Sequence, residues 1–134
     1  MVLLAAISDS DTDESILTEA ARLAEAFDDE LHVVYVHSFD SVADDTATDE
    51  SVKQQATSIA QTAIDALDYP ATPVGLIGEP AAEVLEYAET VETRYLVIGG
   101  QKRSPVGKAL FGSTTQQILL GAEPPVLTVM GPDR

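Results

Sequence analysis

Tyr95-Leu96-Val97-Ile98-Gly99-Gly100-Gln101-Lys102-Arg103-Ser104-Pro105-Val106-Gly107-Lys108-Ala109-Leu110-Phe111-Gly112-Ser113 is the stretch on which the fold turns. Its first four residues form a short continuous apolar run, as in a strand buried on both faces. Thr114 to Leu120, directly after it, reads as a helix. A glycine-rich loop that joins a strand to a helix N-terminus is a natural anion seat. Backbone N–H groups there are unpaired, and the helix dipole favours negative charge. Charge falls the same way: the chain carries 23 acidic residues, yet none lies between Thr93 and Ala122. That window holds four of the seven basic residues, Arg94, Lys102, Arg103 and Lys108, a cationic island expected on the loop.

The same alternation runs through the rest of the chain. Val2 to Ile7 is an apolar run read as a first strand. Ser8 to Thr12 is a polar turn, with Asp11 and Glu14 spaced as a helix cap and its partner three residues on. Ile16, Ala20, Leu23, Ala24 and Phe27 then recur at helical spacing. Leu31 to Val36 reads as the second strand, Phe39 to Thr48 as an acidic connection, and Val52, Ala56, Ile59, Ala63, Ile64 and Leu67 as a second helix. Thr72 to Ile77 is the third strand. Gly78-Glu79-Pro80 turns it into a third helix, with Pro80 in the first turn where its missing N–H costs nothing, and Ala81, Val84, Leu85 and Ala88 as the buried stripe. Pro125 to Met130 closes the chain as a fifth strand. With no linker-like break, this pattern predicts one α/β domain over residues 1–134, an open parallel five-stranded sheet flanked by four helices. In such sheets ligands bind at the carboxyl ends of strands, where strand order reverses. The Ser8 loop and the Gly99 loop both leave carboxyl ends.

Composition narrows the classes of function. A chain of 134 residues with 45% hydrophobic content can bury a core. The absence of cysteine excludes disulfides and thiol chemistry. The apolar N-terminal run meets Asp9 too early for a signal peptide or a membrane span, so the expected location is cytoplasmic. A net charge of −16 argues against nucleic acid and anionic membranes as partners. Many acids with only three lysines resemble the composition of proteins from salt-accumulating halophiles. At about 1 M salt the Debye length is about 3 Å, so distant carboxylates barely affect an anionic ligand and local loop contacts decide binding.

Four segments in order resemble the universal stress protein family over essentially the whole chain. Leu3-Leu4-Ala5-Ala6-Ile7-Ser8-Asp9-Ser10 is similar to its first strand and Asp-Gly-Ser turn. Gly78-Glu79-Pro80-Ala81 is similar to its Gly-[Asp/Glu]-Pro-Ala step. Leu96-Val97-Ile98-Gly99 through Gly112-Ser113 resembles its Gly-x2-Gly-x9-Gly-[Ser/Thr] nucleotide signature, and Pro125-Val126-Leu127-Thr128-Val129 its closing strand. The resemblance implies sheet order 3-2-1-4-5, an adenine nucleotide alpha hydrolase-like fold, and a homodimer paired through the last strand, Val126 to Met130. For one branch it implies ATP or a related adenine nucleotide, with or without Mg, between the first and fourth loops. Gly99, Gly112 and Ser113 would then line ribose and phosphates, and the backbone around Val36 would border the adenine. Two positions depart from the family pattern. The second signature glycine is Lys102, which cannot offer glycine's close backbone approach but can present a cation to phosphate. The first-loop aspartate is Ser8, with Asp9 one residue along, so recognition there is neutral.

Chemistry-bearing residues sort accordingly. The Ser113 hydroxyl and the N–H groups that follow, Thr114 included, would donate to phosphate, with Lys102, Arg103 and Lys108 supplying charge. Ser113 is also expected to cap its helix. Gly107-Lys108 is not a Walker loop, because position 102 is Lys and position 109 is Ala. Asp9, Asp11, Asp13 and Glu14 read as a solvated turn and an acidic first helical turn, with Asp9 facing the cleft. His32 and His37 are five apart, so a strand sends them to opposite faces and no shared metal is expected. No nucleophile, base and orienter stand together, and the expectation is a binding protein without catalysis. The alternative is a dimeric interaction module of the same family that binds no nucleotide, motivated by Lys102 and Ser8.

Overall fold

The computed structural model describes residues 1–38, 48–100 and 112–130. Its elements are β1 (Val2–Ile7), α1 (Asp13–Phe27), β2 (Glu30–His37), α2 (Asp49–Asp65), β3 (Thr72–Ile77), α3 (Pro80–Thr90), β4 (Thr93–Gly99), α4 (Ser113–Gly121) and β5 (Val126–Val129). All strand pairs are parallel and the order is β3-β2-β1-β4-β5, as expected from the resemblance. β2 runs one residue further at each end than its apolar run, and β5 stops one residue short of Met130.

Alternation of side chains splits the core in two. Leu3, Ala5, Ile7, Leu31, Val33 and Val97 pack with α1 and α2 on one face. Leu4, Val34, Leu96 and Ile98 pack with α3 and α4 on the other. Leu3, Leu4 and Ala5 have no exposed surface, which explains why β1 is apolar at every position rather than at alternate ones. The helices supply the matching stripes, Ile16, Leu17, Ala20 and Ala24 from α1 and Ala81, Val84 and Ala88 from α3.

Two glycines carry backbone geometry. Gly78 has φ 141° in the step from β3 to α3, a region side chains rarely enter, and its N–H reaches the His37 carbonyl at 3.0 Å. Gly75 in β3 lets α2 lie against the sheet backbone. A Cβ there would sit 2.5 Å from the Lys53 carbonyl oxygen and closer still to the Thr57 nitrogen. Because both obstacles are backbone, no rotamer change relieves them. Gly75→Ala is therefore expected to destabilise by about 1–3 kcal/mol, the usual scale for overpacking. Urea midpoints in molar KCl measure this; an unchanged midpoint would mean that α2 shifts without cost.

Candidate functional site

The carboxyl end of β1 delivers an exposed turn. Asp9 has φ 59°, the left-handed region that Asp tolerates better than most residues, at the position where the resembled turn carries glycine. The Asp13 carboxylate reaches back over this turn. Its Oδ1 accepts the Ser8 N–H at 3.0 Å and its Oδ2 accepts the Ser10 N–H at 3.1 Å. The Ser8 and Ser10 hydroxyls lie 2.9 Å apart. Burial raises the Asp13 carboxyl above its ordinary value, against these hydrogen bonds and alongside a smaller repulsion from Asp9. The expected Asp11–Glu14 cap is not what forms. The N-cap is Thr12, whose backbone is already helical and whose side chain makes no cap bond. A capping side chain needs an extended N-cap, so Asp13 satisfies the turn amides instead.

The carboxyl end of β4 lies beside this turn because β1 and β4 are neighbours. Gly99 faces α1: a Cβ there would meet Ile16 Cδ1 at 3.0 Å and Thr12 Cγ2 at 3.3 Å. The Gly99 carbonyl accepts the Thr115 hydroxyl at 2.8 Å, and the Gly100 N–H donates to the Val129 carbonyl at 2.9 Å. Thr115 is buried, and it ties the first turn of α4 to the end of β4. That residue escaped the sequence reading; its signal is the helical spacing to buried Ile118. The N-cap of α4 is Gly112, extended at φ −69° and ψ 166°, a residue with no side chain to cap the turn. Ser113 is thus the first helical residue and does not cap the helix as expected, because Gly112 takes the extended position. Ser113 is exposed and Thr114 half-buried.

Ser8, Asp9, Gly99, Gly112, Ser113 and Thr114 therefore gather where the order of strands reverses. Val36 lies on the neighbouring β2, half-buried on the α3–α4 face. Lys102, Arg103 and Lys108 lie outside the described residues.

The universal stress protein family model matches residues 1–130. The chain belongs to the universal stress protein family. A universal stress protein of Mycolicibacterium smegmatis is 42% identical over 57 residues, which span 42% of this chain and 42% of that relative. A universal stress protein in complex with cAMP superposes with TM-score 0.70 at 20% identity, covering 98% of each chain. The Archaeoglobus fulgidus universal stress protein in complex with dAMP gives TM-score 0.60 at 24% identity, covering 95% of this chain and 94% of that one. The shared fold is the adenine nucleotide alpha hydrolase-like arrangement.

In this universal stress protein the cationic island is smaller than expected. Arg94 is the second residue of β4, at the opposite end of that strand from Gly99, and its Nε donates to Asp29 Oδ2. Its guanidinium also lies 4.3 Å from the centre of the Phe27 ring. Sequence proximity placed Arg94 with the loop, but the length of a strand separates them. His32 and His37 do face opposite sides of the sheet. His32 Nδ1 lies 2.8 Å from the Tyr87 hydroxyl of α3, whereas the His37 ring stands edge-on to Tyr35. Among the described residues no three metal-binding side chains cluster, and no helix is long and apolar enough to cross a membrane. An open groove of about 450 Å³, lined by Asp49, Glu50, Lys53 and Ile77, lies at the β3 end of the sheet, away from the β1–β4 junction.

The Arg94 hydrogen bond holds the buried Asp29 carboxyl below the ordinary carboxylate range, overriding desolvation. A carboxylate favoured in the folded state supports folding above its unfolded pKa of about 3.9. That support disappears as pH falls through the lower folded value. Asp29→Asn should lower stability at neutral pH and flatten the acid limb of the stability curve. Urea midpoints between about pH 2 and pH 7 measure both effects, and parallel curves for the two proteins would contradict the assignment.

Proposed function

We propose that this universal stress protein binds an adenine nucleotide, ATP or a relative of it with or without Mg, as a regulatory stress-response module with little or no turnover. The observation that carries the reading is the first turn of α4. Its N-cap is Gly112, which has no side chain to occupy the N–H groups, and Thr115 anchors them beside the β4 end. They follow the most basic segment of an acidic chain. Anions are favoured at such a terminus. In this reading Gly99, Gly112, Ser113 and Thr114 receive phosphates, with Lys102 and Arg103 adding charge. Ser8, Asp9 and the backbone at Val36 meet the nucleoside. The complexes of relatives with cAMP and dAMP support the ligand class. The functional unit is a homodimer through the last strand, a cytoplasmic assembly in this reading.

One observation favours a second reading, an interaction module without nucleotide. The Ser8 and Ser10 amides are already taken by the Asp13 carboxylate, so the β1 turn offers a neutral serine and two nearby acids rather than free donors.

Small molecules released from protein purified in molar KCl, identified by mass spectrometry and followed by calorimetry with ATP, AMP and cAMP, separate the two. Nucleotide near one per chain is expected. Gly112→Val should weaken it at least about tenfold, or 1.4 kcal/mol. The backbone at Gly112 is open to any residue, so that loss would report crowding of the ligand rather than strain. An empty protein that gives no heat with any of the three would favour the interaction module. In that case Lys102→Gly combined with Ser8→Asp should create ATP binding; continued silence would count against this account of the loss.

A further inference from the structure

Asp13 holds the β1 turn closed from within. Its two carboxylate oxygens accept the Ser8 and Ser10 N–H groups at 3.0 and 3.1 Å, one to each oxygen. Burial works against the charge, but the Asp9 N–H between them adds to the support of the ionised form. Successive amides turned to one point, with Asp9 in the left-handed region at φ 59°, make the kind of concavity that takes anions. Here the anion is a side chain of the protein itself. The Ser8 and Ser10 donors are engaged by Asp13, and a fixed negative charge stands in the concavity.

What the turn still presents is either neutral or acidic. The Ser8 and Ser10 hydroxyls lie 2.9 Å apart and are exposed, and Asp9 is exposed between them. Among the described bases, Arg22 pairs with Glu19, Arg94 with Asp29, and Lys53 lines the groove at β3. No described base partners Asp9 or Asp13. Their field reaches the next strand: burial first, and then the charges of Asp9 and Asp13, push the Tyr35 hydroxyl of β2 above its ordinary value. The turn also walls the candidate site, because a Cβ on Gly99 would meet Cγ2 of Thr12, the residue before Asp13, at 3.3 Å. Hydroxyl groups suit such a surface, since they donate to carboxylate and serine oxygens. A phosphate does not. It finds the Ser8 and Ser10 amides occupied and meets like charge.

We propose that Asp13 sets the ligand specificity of the β1 end of the cleft: by filling the Ser8 and Ser10 amides with a fixed carboxylate, it admits a hydroxyl-bearing sugar and excludes a second phosphate. The proposal rests on the nucleotide reading above, with the phosphates of a nucleoside 5′-phosphate at α4, and names which members of that class are taken. A nucleotide whose phosphates all extend toward α4 fits; one that carries a separate phosphate at its other end does not. Asp13 acts through the turn as well as by its charge, so it is a positioning residue. Asp13→Ala frees both amides, whereas Asp13→Asn keeps the size with one oxygen acceptor and no charge.

Two isomers supply the test, because ADP and adenosine 3′,5′-bisphosphate have the same atoms and differ only in where the second phosphate sits. Calorimetry of the full chain in molar KCl compares them. The Debye length there is about 3 Å, so the net charge of the chain hardly contributes and groups in near contact decide. ADP is expected to bind at least about tenfold more tightly than its isomer. In Asp13→Ala and in Asp13→Asn that ratio should fall below about threefold, with far-UV circular dichroism matching the parent chain. Glu14→Gln, which removes an exposed acid from the same helical turn, should keep the ratio. A merely structural Asp13 would weaken both isomers alike and leave the ratio unchanged, which overturns the assignment. An equal fall of the ratio in the Glu14 variant overturns it too. Equal binding of the two isomers by the parent chain overturns the selection alone. A parent chain that takes neither isomer overturns the nucleotide reading and the selection with it.

Discussion

Leu3, Leu4 and Ala5 are fully buried in β1, and consecutive strand residues point to opposite faces, so the sheet has to be covered on both sides. Most of the architecture follows from that constraint. Covering both faces of a parallel sheet requires helical crossovers, and these keep one hand. The chain therefore winds from β1 to β3 with α1 and α2 on one face. It then returns to the far side of β1 with α3 and α4 on the other. The reversal lies between β1 and β4, whose following helices, α1 and α4, cover opposite faces of the sheet. The candidate site is thus a by-product of the way the most buried strand is enclosed.

At that junction the chain treats its two helix N-termini differently. Asp13 fills the amides of the β1 turn with an internal carboxylate, whereas the N-cap of α4, Gly112, has no side chain to do the same. A ligand with a neutral end and an anionic end suits this asymmetry, with the anion at α4. The same contrast explains why a strongly acidic chain can be read as an anion binder. The net charge describes the whole surface, but the acid-free stretch from Thr93 to Ala122 supplies both α4 and the basic loop before it.

Glycines at the sheet illustrate three separate roles. Gly75 admits the backbone of α2, Gly99 admits Ile16 and Thr12 of α1, and Gly78 supplies a positive φ. Gly112 has an ordinary extended backbone, so conformation does not account for it. In the nucleotide reading its missing side chain is what lets a ligand approach.

Apolar runs and helical stripes determined the α/β class and the alternation of strands with helices, because both are direct consequences of burial; which residues share a face of the core came from the structure. The resemblance of four short motifs supplied the strand order, and the parity of the histidine spacing separated His32 from His37. Contacts over long sequence separation were decided only in three dimensions. Arg94 reads as part of a basic loop five residues on, yet β4 carries it to the opposite end of the sheet and to Asp29, 65 residues away in sequence. Asp13 reads as one more exposed acid, but backbone geometry at Thr12 and Asp9 turns it onto the β1 amides. Thr115 looks no more important than Thr114 until the first turn of α4 is seen against Gly99. Local patterns record what each segment must bury; which polar groups meet depends on where the strands carry them.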